Sequence, residues 1–213
     1  MTESERKQII ALIQREVIPA IGCTEPIAVA LCVAKATETL GAKPEKIKVL
    51  LSANILKNAM GVGIPGTGMI GLPIAVALGA LIGKSDYQLE VLKDSTPEAV
   101  EEGKKLIDEK RICISLKEDI TEKLYIEVTC EAGGEQATAI ISGGHTTFVY
   151  VAKGDEVLLN KQQTSGEEEE EETLELTLRK VYDFALTAPL DEIRFILETA
   201  RLNKKAVSYT HLR

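Results

Sequence analysis

The chain has 213 residues, with 25 basic and 33 acidic side chains and a net charge of −8. That balance argues against a nucleic acid or an anionic membrane as partner. Hydrophobic residues make up 45% of the sequence and aromatics only 4%, with no Trp, so aliphatic side chains must fill the core of one large or two small domains.

Residues 3–17 have the spacing of an amphipathic helix, with Ile9, Ile10, Leu12, Ile13 and Val17 on one side. Pro19 and Gly22 end it. Thr24 then offers an N-cap for a second helix, and Glu25 and Pro26 suit its first turn. That helix, 25–39, is apolar on most sides and is expected to be buried, with Cys32 as plain core. Cys23 stands between Gly22 and Thr24, at the helix N-terminus, where free N–H groups and the macrodipole favour a thiolate. A thiolate there could attack an electrophile or bind a soft metal. The same position equally suits a small, half-buried residue in a tight turn.

A strand is predicted over 47–51, followed by a helical segment in which Asn54, Lys57 and Asn58 share one face. Two amides and an ammonium together suit a carboxylate; they also suit a solvated helix face. The glycine-rich stretch 61–71 then feeds an apolar helix to about residue 81. It has neither P-loop nor Rossmann spacing, so a small anion is indicated and a nucleotide is not. The apolar run 69–82 is too short, and too interrupted by Gly71, Pro73 and Gly79, to span a bilayer.

A short strand at 89–92 and a helix from Thr96 to about Lys110 come next. Strands are predicted at 112–116, 124–130, 136–141, 146–151 and 157–159, with a hairpin at Gly133-Gly134. Cys113 and Cys130 lie on these strands, too isolated to propose as a metal pair. His145 sits in a glycine turn, where a histidine is more often a surface or capping residue than a catalyst. Six glutamates at 167–172 read as a solvated linker to helices at about 173–186 and 189–202. Four cysteines without paired spacing and no signal-peptide pattern point to a reducing cytoplasm. The expected class is α+β, with apolar helices packed beside a mixed β-sheet. Its expected parts are a helical region at 1–92, a sheet region at 93–165, an acidic linker and helices at 166–206, and a tail at 207–213 that reads like translated adapter sequence.

Four motifs carry a resemblance. Glu16-Val-Ile-Pro-Ala-Ile-Gly-Cys-Thr-Glu-Pro26, Ser52-Ala-Asn-Ile-Leu-Lys-Asn-Ala-Met60, Ile64-Pro-Gly-Thr-Gly68 and the Gly-His-Thr turn resemble the L-cysteine desulfidase family. That family is related to the α chain of iron–sulfur-dependent L-serine dehydratases. The resemblance implies an oxygen-sensitive [4Fe–4S] cluster on three cysteines and α,β-elimination of L-cysteine to sulfide, ammonia and pyruvate, with L-serine the alternative substrate. It places Cys23 at a cluster ligand. Ser52, Asn54, Asn58, Thr67 and Gly68 are then candidates to bind substrate, and Lys57 or His145 to act as base. Cys32, Cys113 and Cys130 match no ligand position, so the chain would supply one ligand and be an inactive fragment, with a homodimer left open. Two further classes stay open: a small-anion binding module, and a hydrolase or transferase with Cys23 as nucleophile.

Overall fold

The structure, a computed structural model, describes residues 1–161 and 175–210, the last five by backbone alone. The acidic run 167–172 and residues 211–213 lie outside the described residues. The chain divides into two units, Ala20–Gly166 and Met1–Pro19 with Glu167–Arg213. The α+β class holds: helices pack on a six-stranded mixed sheet.

In the larger unit, β1 (Lys46–Leu51) runs parallel to β4 (Ile112–Leu116) and antiparallel to β5 (Tyr125–Ala132). The sheet continues through β6 (Glu135–Ser142), β7 (Phe148–Lys153) and β8 (Glu156–Asn160), giving the order β4-β1-β5-β6-β7-β8. Strand periodicity of two sends Ile47, Val49 and Leu51, Ile126, Val128 and Cys130, and Ala137, Ala139 and Ile141 to one buried face. Against that face lies α2 (Thr24–Leu40), whose Ile27, Val29, Leu31 and Val33 are fully buried. Cys32 donates its thiol to Ala139 O at 3.3 Å, so it belongs to the core as expected.

Next to α2 packs α4 (Leu72–Ile82), buried from Leu72 to Ala80 except at Pro73. The helices meet at Gly79, where a built Cβ would stand 2.6 Å from Ala30 O. Only a residue without a side chain permits that approach. On its other side, α4 packs against α5 (Pro97–Asp108). Between β1 and α4 come α3 (Ala53–Ala59) and the small hairpin of β2 (Gly63–Ile64) with β3 (Met69–Ile70).

Two sequence expectations change. No boundary falls near residue 92, because β1 is an inner strand between β4 and β5 and joins both stretches in one sheet. The strand expected at 89–92 is a 3-10 turn, Ser85–Glu90, followed by further turns. Its apolar residues Leu89, Val91 and Leu92 are buried in the core shared with α2, and Leu89 O accepts from Ile21 N.

In the smaller unit, α1 (Glu3–Glu16) opens with a capping box between Thr2 and Glu5. The later helices are α6 (Leu178–Thr187), α7 (Leu190–Ile193) and α8 (Ile196–Thr210). Glu5 pairs with Lys180 on α6 and Arg6 with Glu192 on α7, which ties both to α1. Among the described residues, no helix is long and apolar enough to cross a membrane.

Candidate functional site

The burial of α2 fixes its first turn in place, and Cys23 is its N-cap residue. The Cys23 thiol donates to Glu25 Oε2 at 3.0 Å. The same carboxylate accepts from Thr24 Oγ1 at 3.2 Å and, on its other oxygen, from Asn58 Nδ2 at 3.3 Å. Asn58 is delivered by α3, whose N-cap Ser52 also anchors it to the sheet. The glycine-rich hairpin closes on the same turn: a Cβ on Gly22 would meet Pro65 Cγ at 2.9 Å. The end of α3 thus meets the Cys23 turn at Glu25, and Pro65 meets the same turn at Gly22.

The electrostatics differ from the sequence expectation. Helix position alone favours a Cys23 thiolate, yet the thiol is pushed above its ordinary range. Partial burial raises it first and the Glu25 hydrogen bond second; the backbone N–H groups of Glu25 and Thr24 pull downward and lose. Glu25 moves the other way. The Cys23 hydrogen bond, with help from Thr24 and Asn58, holds its carboxyl below the usual range despite burial. At neutral pH the pair is therefore a thiol beside a carboxylate. Sequence reasoning missed Glu25, reading it as a first-turn acid; the spacing Cys-x-Glu at a helix start was the available signal.

The other predicted residues are placed as follows. Lys57 and Asn54 are exposed on α3, and Asn54 lines a cleft of about 540 Å³ together with residues 116–123. Ser52 is buried, donating to Lys123 O at 2.8 Å and capping Ile55 N, so its hydroxyl serves the fold. Thr67 is likewise engaged within its own turn, donating to Ile64 O at 2.7 Å and accepting from Met69 N. Gly68 follows it with φ of +67°. His145 lies in the turn between β6 and β7, which is held through Gly143 N–H to Leu124 O just ahead of β5.

A four-iron cluster needs several thiolates. Cys32 on α2 and Cys130 on β5 are buried between that helix and the sheet, and Cys113 is exposed on the edge strand β4. Among the described residues, no group of three or more His, Cys, Asp or Glu is arranged to hold a metal. These residues alone therefore do not fit a [4Fe–4S] cluster; Cys23 is the single thiol at the site.

Similar proteins carry one name. The chain is 81% identical over 206 residues to a UPF0597 protein of Bacteroides thetaiotaomicron, covering 97% of this chain and 48% of that protein. It is 76% identical to one of Phocaeicola vulgatus over the same span, and 63% identical over 204 residues to one of Parabacteroides distasonis. It spans about half the length of these curated relatives. No protein-family model matches the chain, and no solved structure matches it. These findings correct the resemblance drawn from the motifs: the relatives are UPF0597 proteins, and no cysteine desulfidase or serine dehydratase name appears among them. Short glycine and cysteine motifs were too brief to decide between families.

Proposed function

We propose that the Cys23–Glu25–Asn58 site belongs to a cytoplasmic lyase that eliminates the β-substituent of a small amino acid. L-cysteine is the substrate, giving sulfide, ammonia and pyruvate, and L-serine the alternative. The observation that carries the reading is Glu25, a charged, half-buried carboxylate held by Cys23, Thr24 and Asn58. Such a carboxylate is equipped to accept the substrate's α-proton, while the Asn58 and Asn54 amides are available as donors to the substrate carboxylate. Loss of the α-proton and of the β-thiol as sulfide leaves an enamine, which water converts to pyruvate and ammonia. A [4Fe–4S] cluster at this site would take Cys23 as one ligand and would need further thiolates from outside the described residues.

The 3.0 Å contact between Cys23 and Glu25 favours a second reading, in which Glu25 deprotonates Cys23 for nucleophilic attack. Anaerobic iron and sulfide reconstitution separates the two when run on this chain and on the full-length Bacteroides thetaiotaomicron relative. Broad visible absorption and oxygen-sensitive sulfide release from L-cysteine, both lost on Cys23→Ala, support the lyase. Absence of absorption and of sulfide release in both proteins refutes it.

A further inference from the structure

We infer that α6 and the turn into α7 form a docking surface for the polypeptide by which the UPF0597 relatives exceed this chain. This is independent of the lyase reading. Leu178, Tyr182 and Leu186 recur every four residues along α6 and are 90%, 60% and 67% exposed. Val181 and Leu190 extend the row at 49% and 78%. Isolated exposed leucines are ordinary, but a continuous stripe of large apolar side chains marks a surface meant to be covered.

The opposite side of the helix is already in use. Phe184 is buried, and Lys180, one turn earlier on that side, pairs with Glu5 of α1 at 3.3 Å. The stripe is therefore not the helix's own inward face turned out; α6 has a partner on one side and an apolar row on the other.

Length decides the occupant. The match to the Bacteroides thetaiotaomicron protein takes in 97% of this chain but 48% of that protein, so polypeptide of comparable length accompanies the matched span in the relative. Covalent linkage gives that polypeptide a high effective concentration beside α6, which a second copy of this chain lacks.

The test compares thiol accessibility in two proteins that exist as such. Leu178→Cys and Leu186→Cys are made in the 213-residue chain and at the aligned positions of the full-length Bacteroides thetaiotaomicron relative. Maleimide labelling is followed peptide by peptide by mass spectrometry, and each rate is divided by its rate in guanidinium chloride. Tyr182→Cys replaces either variant that loses its helical circular dichroism. The proposal expects fast labelling in the 213-residue chain and at least tenfold slower labelling in the relative. Equal rates in the two overturn it. Slow labelling in the 213-residue chain also overturns it, pointing to a second copy if the chain sediments as a dimer and to self-coverage if it sediments as a monomer.

Discussion

Replacing Gly79 by alanine tests the contact on which the core is built. Alanine in a helix interior is ordinarily worth about 0.8–1 kcal/mol over glycine, so propensity alone makes Gly79→Ala stabilising. Packing opposes this. The new Cβ would lie 2.6 Å from Ala30 O, 3.1 Å from Ala30 Cα and 3.2 Å from Ala30 C, whereas ordinary contact starts at 3.4 Å. All three neighbours are backbone in the buried stretch 26–34 of α2, so relief requires α2 and α4 to separate by 0.8 Å, the difference between 3.4 and 2.6 Å. Overpacking of this kind costs about 1–3 kcal/mol, and more where nothing can yield. With only backbone to yield, the upper part of that range applies, and after the propensity gain the net expectation is a loss of about 1–2 kcal/mol, or a fall in Tm of about 2–8 °C for a protein of this size.

Gly103→Ala is the control. Its Cβ would meet Ile74 Cδ1 at 3.0 Å and Ala77 Cβ at 3.3 Å, and the tip of Ile74 can rotate away. Propensity should then roughly balance packing, leaving stability within about 0.5 kcal/mol of the parent. Urea titrations followed by circular dichroism measure both variants. If Gly79→Ala is as stable as the parent or more so, the close approach of α2 and α4 is refuted.

Three other outcomes follow from the same structure. Cys113 should react fastest with Ellman's reagent and Cys23 more slowly, with Cys32 and Cys130 silent until the chain is unfolded; early reaction of Cys32 would contradict its burial between α2 and the sheet. Glu25→Gln removes a charge and an acceptor that raise the Cys23 thiol, so the pH midpoint for iodoacetamide alkylation of Cys23 should fall, and an unchanged midpoint would deny the contact. Lys117→Met strips Glu127 of a partner at 2.8 Å. Burial pushes the Glu127 carboxyl up, but Lys117 and Tyr125 outweigh it and hold it below the usual range. A carboxyl with a lowered folded-state pKa contributes stability above its unfolded pKa and loses it as pH falls through the folded one. The variant should therefore cost about 1 kcal/mol at neutral pH and converge on the parent in acid, as urea midpoints at several pH values would show.

Much of the fold was legible because periodicity reports burial directly. The helix at 25–39 is apolar on every side from residue 26 through 34, and burial of that stretch is the arrangement that suits it; the strands from 112 to 159 follow from alternation and the Gly133-Gly134 turn. Leu89–Leu92 misled for the same reason, since a short apolar run states that it is buried and not what pairs with it. At the site, position was readable and partnership was not. Cys23 was expected at a helix start and stands there, but its protonation depends on Glu25, and the role of Glu25 depends on Asn58 from another helix. The hydroxyls of Ser52 and Thr67 looked available in sequence because the backbone groups that engage them come from folding: Lys123 O, just ahead of β5, for Ser52, and the closed hairpin turn for Thr67.

The Cys23–Glu25 pair also constrains what the site can accept. At rest the proton sits on sulfur and the negative charge on the carboxylate. Any partner that bonds to the sulfur, whether a soft metal or an electrophilic carbon, must displace that proton, and Glu25 Oε2 is the acceptor 3.0 Å away. Sulfur bonding and carboxylate basicity are thus coupled: a bond at Cys23 that passes its proton to Glu25 neutralises the base until water removes the proton. The Asn58 amide donates to the second carboxylate oxygen at 3.3 Å and so helps to orient the group. The core-fixed start of α2 holds the backbones of Cys23 and Glu25 in place, and the hydrogen bonds from Thr24 and Asn58 orient the Glu25 carboxylate toward the thiol.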